Sequence, residues 1–167
     1  MKIKRLRARR ILNSRGEPTI EVEVNDKYKA SAPSGASKGK CEVKDFPTKG
    51  VPVRIVNTTL AKKLIGTKID SFESLIEVEK ILFDYDKSKN ISKIGGNTVI
   101  AIEFALLKAL CKNNIWKVLN PIADEMPMPL GNCIGGGAHY KGKGVEIQEF
   151  LLVPKAERFN DAAIVND

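Results

Sequence analysis

A chain of 167 residues, 43% apolar and 29% charged, is long enough for one substantial core or two small ones and has the makeup of an ordinary folded protein. No run of 18 apolar residues occurs and the opening MKIKRLRARR leads into no signal-peptide core, which excludes a membrane-spanning helix and sets the expectation of a cytoplasmic protein. The formal charge of +8 raises the question of nucleic acid, because basic surfaces attract phosphate backbones, but no nucleic-acid fold motif or interleaved aromatic series accompanies it, and a solvated basic face is expected instead.

Lys4 to Leu12 mixes charged and apolar residues and runs into Asn13-Ser14-Arg15-Gly16-Glu17-Pro18-Thr19, a segment crowded with turn formers. Ile20, Val22 and Val24 then alternate with Glu21 and Glu23, Asn25-Asp26 marks a turn, and Tyr28, Ala30 and Ala32 alternate with Lys29 and Ser31. This predicts a hairpin and an antiparallel sheet. Pro33 to Gly39 is too small and polar for a core strand and has the flexibility of a loop.

After Val51 the spacing becomes helical. Val53, Val56, Leu60 and Leu64 fall on one face. Asp70 and Glu73 are placed to cap a second helix that would bury Phe72, Leu75, Ile76, Leu82 and Phe83. Asp84 to Lys93 is a polar loop, and Gly95-Gly96-Asn97 leads into a third helix, Thr98 to Lys112, apolar over most of its circumference and expected to be buried. Trp116 to Leu119 is a short helical turn, Pro121, Pro127 and Pro129 punctuate a connection, and a domain boundary is expected near residues 120–128. Cys41, Cys111 and Cys133 are odd in number and far apart in sequence, which favours reduced thiols over a disulfide framework or a zinc site.

The densest chemistry lies in Gly131 to Phe150, GNCIGGGAHYKGKGVEIQEF, which holds three consecutive glycines, the one histidine and two lysines. Glycines there let backbone approach a ligand closely. Gly137 to Lys143 fits the first seven positions of the P-loop pattern, but Gly144 stands where a hydroxyl should follow, and Val145 to Phe150 alternates like a strand where a helix is required. Strand, glycine loop, strand is the simplest geometry.

Four of these stretches resemble the enolase family. GNCIGGGAHYKGKGVEIQEF is similar to its N-V-[IL]-N-G-G-x-H-A-(several)-Q-E-F segment, with Gly135 and Tyr140 standing where Asn and Ala are usual. R-x-I-L-N-S-R-G-E-P-T-I-E-V-E-V resembles the family's opening D-S-R-G-N-P-T and E-V-[ED]-[LV], and Pro33 to Gly39 matches its P-S-G-A-S-[TK]-G lid. S-K-I-G-G-N-T-V-I-A-I-E-F-A-L-L-K-A resembles S-x-L-G-A-N-A-I-L-G-V-S-L-A-x-x-[KR]-A. After the lid the family continues E-x-x-E-[LM]-R-D, whereas here Glu42-Val43-Lys44-Asp45-Phe46-Pro47 follows.

The resemblance implies an α+β N-terminal domain, an antiparallel sheet followed by helices, over residues 1–125, and over 126–167 the first strands of an incomplete (β/α)8-type barrel. A complete barrel takes about 250 residues, and only about forty follow the boundary. The implied activity of the whole enzyme is reversible dehydration of 2-phosphoglycerate to phosphoenolpyruvate with Mg²⁺. The implied site residues are Ser37 as a metal ligand from the lid, and His139 and Glu149 as substrate contacts. The family's base, acid and metal carboxylates belong to the later barrel, so no catalytic residue is assigned here, and the 167 residues alone are expected to be inactive. The implied partners are the substrate and product, the C-terminal barrel segment, and further copies in a homo-oligomer when complete. A noncatalytic enolase-like interaction module and a basic nucleic-acid binder are the alternatives.

Overall fold

The protein is described by a computed structural model covering residues 1–35, 38–137, 142 and 144–166. The chain divides into two compact units, Met1–Ser34 with Gly39–Pro121, and Gly35–Lys38 with Ile122–Asp167.

The first unit opens with a three-stranded antiparallel meander, β1 (Leu6–Leu12), β2 (Pro18–Val24) and β3 (Tyr28–Ser31), in the order β1-β2-β3. The register pairs Leu6 with Val24, Arg10 with Ile20 and Val22 with Ala30. Asn25 and Asp26 turn β2 into β3 with φ of 53° and 57°, a left-handed conformation these two residue types tolerate. The Asn25 carboxamide oxygen also accepts from the backbone N–H groups of Lys4 and Arg5, tying the amino-terminal segment to the turn.

β1 is the element whose sequence shows no period. Leu6 and Ala8 are buried, but Arg9 and Arg10 interrupt the alternation. The outward arginines are matched across the sheet: Arg5 and Arg7 lie 2.8 and 3.8 Å from the Asp26 carboxylate, and Arg9 lies 2.5 Å from Glu21. Much of the basic cluster is therefore compensated within the sheet itself.

Helices cover one face of the meander. The first helical run has α-helical ends, α1 (Pro52–Arg54) and α2 (Ala61–Leu64), around a π-helical centre, Ile55–Leu60. Val56, Leu60 and Leu64 are fully buried, the face expected from their spacing. α3 (Glu73–Tyr85) buries only Val78 and Leu82 completely. Phe72, Ile76 and Phe83, expected in the core, remain 49%, 48% and 44% exposed, because only a narrow stripe of α3 meets the rest of the unit. Asp70 does not cap this helix. It forms an ion pair with Lys68, and the residue preceding the helix, Phe72, supplies no side-chain cap.

α4 (Gly96–Leu110) is the central helix, burying Ala101, Ile102, Ala105 and Leu106 among others and packing on β2 and β3. The loop before it is organised by Asp86, which is 2% exposed. Its carboxylate accepts from the Ser88 hydroxyl and from the backbone N–H groups of Ser88, Lys93 and Ile94 at 2.5–3.0 Å. Burial pushes this carboxyl up, but those donors outweigh it and hold it below the ordinary aspartate range. α5 (Ile115–Leu119) ends the helical series.

The second unit contains an antiparallel pair, β4 (Gly131–Gly135) and β5 (Glu149–Leu152), and a helix, α6 (Phe159–Val165). The alternation at 145–150 predicts a longer strand than is formed, since regular pairing begins only at Glu149. The cause is local: Gly136 and Gly137 donate their N–H groups to the carbonyls of Gln148 and Val145 at 2.8 and 2.9 Å, a contact that replaces a strand ladder. No helix among the described residues is long and apolar enough to cross a membrane.

Candidate functional site

The turn after β1 is built around Asn13. Its side-chain oxygen accepts from the N–H groups of Arg15 and Glu17 at 2.8 and 3.0 Å, while its amide donates to the Glu17 carboxylate at 3.0 Å. Gly16 completes the turn with φ of 73°, where a side chain would be strained. This turn and the segment leaving β3 wall a cavity of about 320 Å³, lined by Leu12, Asn13, Ser14, Thr19, Pro33 and Ser34 among others. Pro33 and Ser34 thus lie at the rim of a recess of mixed polar and apolar character. Ser37 itself lies outside the described residues.

The glycine segment has a clear packing reason. Gly136 is buried, and a Cβ there would lie 2.4 Å from the Ile147 carbonyl oxygen and 2.6 Å from that of Val145. Gly137 adopts φ of 54° with its Cβ position 3.3 Å from Gln148 Cα. The two glycines let the returning chain cross directly over the end of β4, which carries Glu149 to the start of β5, opposite Gly135. Glu149 is partly buried there. The strand after the loop, in place of a helix, removes the structural basis of a P-loop. His139 lies outside the described residues, so of the three residues singled out by sequence, Glu149 alone is placed.

Among the described residues no three His, Cys, Asp or Glu side chains come together to hold a metal ion. Mg²⁺ favours octahedral oxygen sets built on carboxylates, and the described residues do not supply one. Cys41, Cys111 and Cys133 are free thiols, and burial raises the Cys111 thiol above its ordinary value. A further titratable group sits on α4. Desolvation, and secondarily the charge of Glu79 on α3, push the half-buried Glu103 carboxyl up to about 7. In the sequence its visible signal is a carboxylate inside a mostly apolar helix.

A family model described as "Enolase, N-terminal domain" matches residues 3–120. The chain belongs to the enolase family. Its similarity to curated enolases continues past that domain. It is 41% identical to the Enolase of Methanothermobacter thermautotrophicus over 174 aligned residues, covering 98% of this chain and 41% of that protein. The Enolase of Methanosphaera stadtmanae is 40% identical, covering 91% and 38%, and that of Anaplasma marginale 41% identical, covering 97% and 41%. The chain therefore spans about two fifths of the length of these enolases. The antiparallel sheet followed by helices in the first unit agrees with an enolase N-terminal domain.

Proposed function

We propose that this chain supplies the amino-terminal part of a cytoplasmic enolase site, in which 2-phosphoglycerate is reversibly dehydrated to phosphoenolpyruvate. The observation that supports this most directly is the extent of the similarity: a match over 98% of the chain leaves no room to omit the Gly131 to Phe150 stretch, so both the lid and the glycine segment fall within aligned enolase sequence. Residues 1–125 are assigned as the N-terminal domain and 126–167 as the start of the barrel.

The reaction removes a proton from the carbon next to the carboxylate and expels hydroxide from the neighbouring carbon, leaving a carbon–carbon double bond and, in net, one water. Ser37 would add a hydroxyl to the family's Mg²⁺ shell, His139 would contact substrate near the leaving hydroxyl, and Glu149 would orient that end of the substrate. The proton-abstracting base and the metal carboxylates of the family lie in the later barrel, which these residues do not span. The second unit has surface that further barrel would cover: Ile134, Phe150, Leu151 and Leu152 are 40–52% exposed on a two-stranded sheet, an arrangement too small to be stable by itself. The antiparallel pairing of β4 and β5 differs from the all-parallel order of a regular (β/α)8 barrel, so the barrel assignment rests on sequence similarity. A homo-oligomer is expected of the complete enzyme.

The test is Mg²⁺-dependent phosphoenolpyruvate formation from 2-phosphoglycerate, measured for the purified chain alone and after co-expression with a C-terminal enolase segment. Activity in the complex and none in the chain alone is expected. Turnover by the chain alone, free of host enolase, would overturn the shared-site proposal. A folded complex without turnover would favour a noncatalytic module.

A further inference from the structure

A second cavity in the first unit, of about 380 Å³, adjoins the Asn13 recess across Thr19 and is mostly apolar. Ile20, Phe46, Pro47, Val51 and Val53 form much of its wall, and Arg10 is the one ionisable side chain that lines it. Thr19, the other polar residue in the lining, directs its hydroxyl to the Ala32 carbonyl at 3.5 Å. Arg7 and Arg9 on the same strand, and Arg5 just before it, have carboxylate partners. Arg10 has none among the described residues, so its guanidinium keeps its donors available beside an apolar hollow.

The wall is built rather than draped. The segment bearing Phe46 and Pro47 is bound to the start of α4 and the loop before it by backbone hydrogen bonds, from Gly96 N–H to Lys44 O at 2.7 Å, Asn97 N–H to Asp45 O at 3.0 Å and Thr48 N–H to Ser92 O at 2.8 Å. Gly95, with φ of 87°, sits directly against it, and a Cβ there would be 2.6 Å from Phe46 Cα. This is also the segment in which Glu42 to Pro47 departs from the family's acidic, arginine-containing continuation.

We infer that this cavity is a binding site for a small monocarboxylate with an apolar body, the carboxylate meeting Arg10 and the body lying against Phe46, Pro47, Val51 and Ile20. The volume falls in the range of small-molecule pockets, which combine apolar walls with a few orienting polar groups. A planar guanidinium forks onto a carboxylate with two parallel hydrogen bonds. The chain's net charge of +8 favours the approach of anions in general. A neutral apolar ligand would leave the Arg10 donors to water, and a polyanion would face apolar wall beyond that single cation, so one carboxylate on an apolar body is the complementary chemistry. The site does not depend on the dehydratase proposal.

The probes are 3-phenylpropionate and its uncharged isostere 3-phenylpropionamide, titrated into the isotopically labelled 167-residue chain and followed by amide NMR shifts. Saturable shifts confined to the neighbourhood of Thr19, Phe46, Val51 and Val53 are expected for the acid, with the amide about tenfold weaker. Arg10 is exposed on its strand, so Arg10→Gln should keep the fold, visible in the same spectra, and lose the preference for the acid. Arg10→Lys should restore part of it, and Phe46→Ala should weaken both probes together. Absence of saturable shifts, equal binding of acid and amide, or acid preference surviving in Arg10→Gln would each overturn the inference.

Discussion

Asn57 grips the backbone of Ala8 from both sides: the Ala8 N–H donates to Asn57 Oδ1 at 2.7 Å, and Asn57 Nδ2 donates to the Ala8 carbonyl at 3.0 Å. β1 is an edge strand, and edge strands present unpaired donors and acceptors that attract other chains. Here one carboxamide from the π-helical segment satisfies both groups of a single edge residue. Asn57→Ala should cost about 2 kcal/mol, since two hydrogen bonds are lost and a partly buried peptide group is left unpartnered. Urea denaturation with amide exchange at Ala8 checks this. An unchanged midpoint would mean that water replaces the side chain without penalty.

Gly95→Ala should be among the costliest single-methyl additions in the first unit. Its φ of 87° is unfavourable for alanine, and the new methyl would lie 2.6–2.8 Å from Phe46 and Asp45 backbone atoms, in a segment that the Asn97 N–H holds through the Asp45 carbonyl and that cannot give way cheaply. A loss of more than about 2 kcal/mol is expected. Gly16→Ala shares the positive φ, yet its Cβ position meets nothing within 4 Å, so it should cost less. Thermal melts of the two variants separate crowding from backbone strain.

Glu103 makes stability fall as pH rises. Its folded-state value of about 7 lies above the ordinary 4.5, so between those values the native state holds a proton that the unfolded chain has released. The stabilisation by the neutral form is full below the ordinary value and lost as pH passes through about 7. Allowing for partial solvent contact, Glu103→Gln should gain about 2 kcal/mol at pH 8 and little at pH 4. Chemical denaturation at both pH values tests the slope. Asp86 acts in the opposite sense and at lower pH: its value is held down, so its stabilisation is present above the ordinary aspartate range and disappears as acid protonates it.

Ser37→Ala, assayed in a complex that regains dehydratase activity, should lower turnover about 10- to 100-fold with no change in the melting temperature. Glu149→Gln should mainly raise KM if Glu149 orients substrate. Unaltered kinetics for Ser37→Ala in a folded complex would remove the lid serine from the site.

The hairpin of β2 and β3 was legible because Ile20, Val22 and Val24 alternate strictly around a turn of Asn25 and Asp26, and α4 was legible because an apolar run of helical length follows Gly95-Gly96-Asn97. β1 was not, since the partners that make its arginines tolerable, Asp26 and Glu21, become neighbours only once the sheet is paired. On α3, spacing identified a face but not its width, so Phe72, Ile76 and Phe83 were assigned to a core that only Val78 and Leu82 fully enter. Asp86 sat unnoticed in a polar loop, although an Asp two residues before Ser88 is a recognised turn former. At the candidate site the glycine segment was recognised from Gly135-Gly136-Gly137, but the close crossing of Val145 to Gln148 over it depends on atomic distances that composition does not encode. The site roles of Ser37, His139 and Glu149 come from the family resemblance and not from their spacing.

The π-helical stretch Ile55–Leu60 bears on how lengths of related chains should be compared. Hydrogen bonds from i to i+5 accommodate an additional residue in the turn, so deletion of one residue here could be absorbed by ordinary i to i+4 closure, continuous with the α-helical ends at Pro52–Arg54 and Ala61–Leu64. The helix would survive with its two halves close to their present orientation, because the additional residue is taken up within the wide turn itself. What would change is the wide turn, which carries Asn57 against Ala8. A single-position gap at this point in an alignment is therefore compatible with the same helix faces, and deletion of Asn57 should leave a folded protein whose Ala8 amide exchanges faster.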